Sequence, residues 1–207
     1  TYGDWSSDVC SSDLLRPGVR VDRAGGQVLV QATVACRRGF LEQVACRRGS
    51  REHESLLVID APASAVHAAL LAMGLQPGAP GAWRSGADGA IKLTPPTGPE
   101  VRVLVRTADA GEPVPIEAWL RDLRGPGASP PRFVFAGSRF VASPGGERYL
   151  ADESGSIIGL VTFGDETLAL HEVLPDRVGV EPAHFQARTE AMPEQGQVVT
   201  LVLRAVP

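Results

Sequence analysis

A thiol, an imidazole and a carboxylate lie close together in the run Cys46-Arg-Arg-Gly-Ser-Arg-Glu-His53-Glu54. Sulfur beside imidazole supports two chemistries. An imidazolium lowers a cysteine's pKa and raises its thiolate fraction, which nucleophilic attack requires. The same sulfur and nitrogen also suit a divalent metal such as zinc, with further ligands from elsewhere in the chain. Cys46 and His53 are therefore the candidate catalytic pair, and Cys46, His53 and Glu54 the candidate metal ligands.

Whether these groups meet depends on the turn between them. Gly49-Ser50 has the form of a two-residue hairpin loop with glycine at the position that needs a positive φ. A hairpin closed there sets Arg48 opposite Arg51, Arg47 opposite Glu52 and Cys46 opposite His53. Facing residues of an antiparallel pair have Cβ atoms about 4.5–5.5 Å apart, so thiol and imidazole would share one face. Glu54 alternates to the other face, which argues against a Cys, His, Glu triad. The register also places two arginines against each other, an unfavourable like-charge contact.

The elements that follow hold this turn in place. Leu56–Ile59 is a short apolar run of the kind a strand buried on both faces shows. The period then lengthens. Asp60 as cap, Pro62 in the first turn, Val66, Leu70 and Met73 at helical spacing and Gly74 as stop predict a buried helix near 61–73. His67 lies on it. A helix climbing about 1.5 Å per residue returns only about 10 Å by His67, whereas the strand back to His53 spans about 23 Å. His67 is accordingly a hydrogen-bonded core histidine rather than a third ligand.

The remaining elements are mostly strands: Val19–Asp22, Gln27–Val34, Val101–Arg106, Arg132–Val141 with Glu147–Ala151, Ser156–Phe163 with Thr167–Val173, and Gln197–Ala205. Ile116–Leu123 predicts a short second helix near 115–123. The expected fold is α+β: a mainly antiparallel sheet of successive hairpins, with one buried helix. The hexapeptide VACRRG occurs at 34–39 and again at 44–49, too close for a repeat architecture, and is read as two consecutive hairpin arms. Arg37, Arg38, Arg47, Arg48 and Arg51 would gather at their tips as a solvated face, with carboxylate or phosphate binding as the alternative.

Composition excludes some classes. Asp4–Leu14 resembles the translation of a sequencing-adapter oligonucleotide, so residues 1–14 are read as a non-native scar and 15–207 as a single domain. Setting the scar aside removes Asp4, Asp8 and Asp13 and moves the net charge from -4 to -1. Near neutrality predicts no nucleic-acid partner. No apolar run approaches the roughly 20 residues of a membrane-spanning helix. Cys10 belongs to the scar, and Cys36 and Cys46 are too few for a disulfide framework. Nucleotide-binding glycine loops, HExxH, GxSxG and paired CxxC are absent from the sequence.

Cys46 with RRGSREHESLLVIDAPASAVHAALLAMGLQPGAP, FVFAGSRFV at 133–141 and YLADESGSIIGLVTFGDETLAL at 149–170 together resemble the YdjY-type domain proteins of planctomycete bacteria, over most of residues 26–205. Cys46, His53, Glu54 and His67 fall on positions that pattern uses. The resemblance implies no established activity and implies export to the periplasm or beyond. The expected function is a non-catalytic binding or accessory module of an exported bacterial protein, with a protein or a small molecule as ligand. The alternative is a metal-binding or thiol-dependent site on Cys46 and His53.

Overall fold

The structure, a computed structural model, describes residues 12–87, 89–108, 111–176 and 183–206. Of the expected scar, residues 1–11 lie outside the described residues, and Ser12–Arg16 form a strand paired with Val19–Asp22.

Eight strands close into a barrel. In chain order they are β1 (Gln27–Val34), β2 (Gln43–Arg47), β3 (Ser55–Ile59), β4 (Glu100–Thr107), β5 (Phe133–Phe135), β6 (Ser156–Gly159), β7 (Leu168–Leu170) and β8 (Val198–Ala205). Around the barrel the order is β1-β8-β4-β5-β7-β6-β2-β3, and β3 returns to β1 through Thr33↔Val58 and Val34↔Leu57. The edge of β1 that meets β3 near Val34 is taken nearer Gln27 by Val19–Asp22. Alternation along β1 sends Val28, Val30, Ala32 and Val34 into the core.

This architecture corrects the expected α+β fold of successive hairpins: the protein is mainly β, with a closed barrel. Two of the expected hairpins are parallel pairs instead. β2 pairs with β3 in parallel register, Cys46↔Val58 and Arg47↔Ile59, and β6 pairs with β7 through Ile158↔Leu168. The crossovers, 48–54 and 160–167, are shorter than the dozen or so residues such a connection ordinarily takes. Burial explains the choice. β2 from Gln43 to Cys46 and all of β3 are buried, the mark of strands covered on both faces.

The turn at Gly49 is real, with φ +83°, but the chain then coils through a 3-10 turn at Glu52–Glu54 and starts β3 level with Gln43. This route also removes the arginine-to-arginine contact. Arg48 pairs with Asp60, and Arg51 with Glu54 at 3.4 Å. The two VACRRG copies are likewise not adjacent arms. The first leaves the sheet after Val34, while the second continues as strand to Arg47.

Helix α1 (Ala63–Ala72) follows β3 and buries Val66, His67 and Leu70. Burying each large aliphatic contributes about 1.5–3 kcal/mol. Asp60 faces Arg48 instead of capping the helix. The cap comes from Asp152, whose carboxylate accepts the Ser64 N–H at 2.9 Å, satisfying one of the free N–H groups of the first turn. Asp152 belongs to α2 (Leu150–Ser154). These are the two α-helices among the described residues. The helix expected near 115–123 is a 3-10 turn at Ile116–Trp119 followed by a strand, Leu120–Asp122, which pairs with Phe185–Ala187.

Candidate functional site

Cys46 sits in the middle of the barrel wall and is fully buried. Burial pushes its thiol above the ordinary cysteine value, against the smaller opposing effects of the nearby Ser55 and Ser50 side chains and the Arg51 backbone. A thiol so placed stays protonated at neutral pH, the reverse of what a nucleophile needs. His53 lies on the Glu52–Glu54 turn with 79% of its side chain exposed, its Nε2 3.6 Å from Glu54 Oε2. The fold thus joins His53 to Glu54 and pairs Cys46 with Val58. Among the described residues no group of three or more His, Cys, Asp or Glu side chains could hold a metal ion. Cys36 and Cys46 are both free thiols.

Glu54 belongs to a pair of carboxyl groups. Its side chain is hydrogen-bonded to that of Glu42, and the Glu42 N–H donates to Glu54 O at 2.9 Å. Burial, followed by the charge and hydrogen bond of Glu54, raises the Glu42 carboxyl to about 7. Arg51 opposes that rise from 3.4 Å on Glu54 and 3.9 Å on Glu42, while its guanidinium lies 3.9 Å over the Phe163 ring. The pair, its arginine and the ring clamp the 48–54 crossover to the rim of the barrel.

On the other side of the same crossover lies an open cleft of about 680 Å³. Three segments form it: the end of β1 and its continuation to Arg38, the Arg48–His53 crossover with Val58 beneath it, and the turn Glu194–Gly196 ahead of β8. The Gly196 N–H donates to Val34 O at 2.9 Å, tying the third segment to the first. Three of the five arginines singled out in the sequence line this cleft: Arg37, Arg38 and Arg48. Cys36 lines it too, its thiol donating to Arg38 O at 2.7 Å. The repeated VACRRG pattern announces the arginines, but Glu194–Gly196 lie so far along the chain that no local pattern announces that wall.

A family model described as the YdjY domain matches residues 19–204. The chain belongs to the YdjY domain family. Comparison with curated proteins and with solved structures gives no match.

The residues that suggested a YdjY domain in the sequence have structural work in the barrel. His67 is buried, with Nδ1 3.0 Å from Tyr149 Oη, and Tyr149 Oη is 2.9 Å from Thr167 Oγ1. The imidazole meets Phe135, Phe140 and Tyr149 edge to face. Burial holds its pKa below the ordinary histidine value, so it packs as a neutral ring that orients Tyr149. In the stretch GDETLAL, Glu166 is fully buried, and its carboxylate accepts the N–H groups of Phe163 and Gly164. Burial raises that carboxyl to about 7. Both crossovers of the YdjY domain thus use a glutamate to bind a glycine N–H in the turn, Glu52 to Gly49 at 2.6 Å and Glu166 to Gly164 at 3.2 Å.

Proposed function

We propose that this YdjY domain is a binding module rather than an enzyme, and that its ligand occupies the cleft between the end of β1, the 48–54 crossover and the 194–196 turn. The cleft carries the reading. Its volume of about 680 Å³ lies within the roughly 300–1,000 Å³ of small-molecule sites, and its walls are pinned by the Gly196–Val34 hydrogen bond and the Arg37–Glu194 ion pair. A non-catalytic role is supported by the state of the buried thiol and of the paired carboxyl groups. Cys46 is buried and protonated, and Glu42 and Glu54 are bound to each other and to Arg51.

The test is a fragment screen followed by 1H–15N NMR on the full chain. Perturbed amides should cluster at 33–38, 52–53 and 194–196. Ala35→Trp, which fills the cleft from its floor, should abolish them without changing the far-UV circular dichroism. Fragments that perturb no amides, or only those of another surface, overturn the reading. The reading also takes the domain to work outside the cytoplasm, as the family resemblance implies. A full-length gene product confined to the cytosolic fraction overturns that part alone.

A further inference from the structure

Resting on that reading of the cleft, we propose that its ligand carries a carboxylate or phosphate group and that Arg38 binds that group. The charges facing the cleft are Arg37, Arg38, Arg48, Glu52 and Glu194, with His53 at the edge. Most of them are already committed. Arg37 is held by the Glu194 carboxylate and by the carbonyls of Thr189 and Met192 at 3.2 and 3.3 Å. Arg48 is held by Asp60. Glu52 opposes an anion, but one of its oxygens already accepts the Gly49 N–H at 2.6 Å.

Arg38 is different. Its side chain is exposed and makes no ion pair among the described residues, while its carbonyl accepts the Cys36 thiol and so fixes the backbone from which the side chain projects. A free guanidinium on a fixed backbone presents a planar fork of donors, which matches the two oxygens of a carboxylate or phosphate. The ion-paired guanidinium groups of Arg37 and Arg48 line the same cleft and add to its positive field. Among the described residues, a cationic ligand would meet three guanidinium groups and one carboxylate outside an ion pair. The charge pattern therefore favours an anion.

The probes are sodium phosphate and, separately, sodium succinate, titrated into the full chain at constant ionic strength and followed by NMR. Saturable shifts of the Arg38 and Gly196 amides are expected with at least one of them, beyond those of equimolar chloride. Arg38→Ala should weaken that binding about tenfold or more, the loss expected of a charge-assisted pair of hydrogen bonds. Arg38→Lys should retain part of it, and Glu52→Gln should tighten it. Response to phosphate alone or to succinate alone identifies which oxyanion the cleft takes. Shifts no larger than those of chloride, or an affinity indifferent to Arg38→Ala, overturn the proposal. If neutral fragments still bind the cleft in that case, the anion is refuted and the binding module stands; if nothing binds there, the module itself fails.

Discussion

Glu166→Gln should make the protein more stable at alkaline pH and leave it nearly unchanged in acid. The Glu166 side chain is fully buried and its carboxyl is raised to about 7, while an unfolded glutamate titrates near 4.3. Below the unfolded value both states hold the proton, and the group costs nothing. Between about pH 4.5 and 7 the unfolded chain releases the proton while the folded chain keeps it, so stability falls as pH rises; above that window the loss is complete. At about 1.4 kcal/mol per pH unit, the window corresponds to about 3–4 kcal/mol. Glutamine retains an oxygen for the Phe163 and Gly164 N–H groups and cannot ionise. Urea unfolding at a series of pH values from 4.5 to 8.5 measures the difference between variant and wild type. It should grow in favour of glutamine by about 3–4 kcal/mol across the window. Taking the difference cancels the titration of every other group. A difference that stays flat with pH refutes the assignment of Glu166 as a carboxyl kept protonated by burial.

Three further outcomes follow from the same geometry. Tyr149→Phe removes the hydroxyl shared by His67 and Thr167 and should cost about 1–3 kcal/mol by leaving buried polar atoms unpaired, as measured by chemical denaturation. Gly155→Ala places a Cβ 2.2 Å from Ser50 Oγ on a backbone with φ +79°, so thermal melting should show a loss of about 1–3 kcal/mol, partly restored in the double variant with Ser50→Gly. In timed alkylation followed by mass spectrometry, the half-exposed Cys36 should react first. The buried Cys46 should react only on unfolding, and rapid labelling of Cys46 in the native protein would revive it as a nucleophile.

Local signals were legible in the sequence, and partners across the sheet were not. Strict alternation marked Gln27–Val34, and the helical spacing of Val66 and Leu70 marked the helix that runs from Ala63 to Ala72. Both patterns depend only on near neighbours. The error at Gly49-Ser50 was of another kind. A glycine turn between apolar strands is compatible with a hairpin, and also with a tight crossover to a parallel partner. The choice is made by partners distant in the chain, including β6, which takes the other edge of β2 from more than a hundred positions away. Because the placement of His53 opposite Cys46 followed entirely from that register, the pairing went with it. The unbroken apolar run Leu56–Ile59 is the warning the sequence carries, since a hairpin strand with one wet face would alternate. The cleft was half visible. The arginine-rich tips stand out in the sequence, but the turn at 194–196 that completes the wall is brought there only when the barrel closes.

The position of β8 has a consequence for how the chain matures. This last barrel strand in chain order is paired along nearly its whole length with β1 on one side and β4 on the other. On a ribosome, every earlier strand emerges to find an empty slot where Val198–Ala205 belongs. The ring therefore closes only after that segment has cleared the exit tunnel. A nascent chain halted before Val198 would present two open backbone edges to chaperones and proteases.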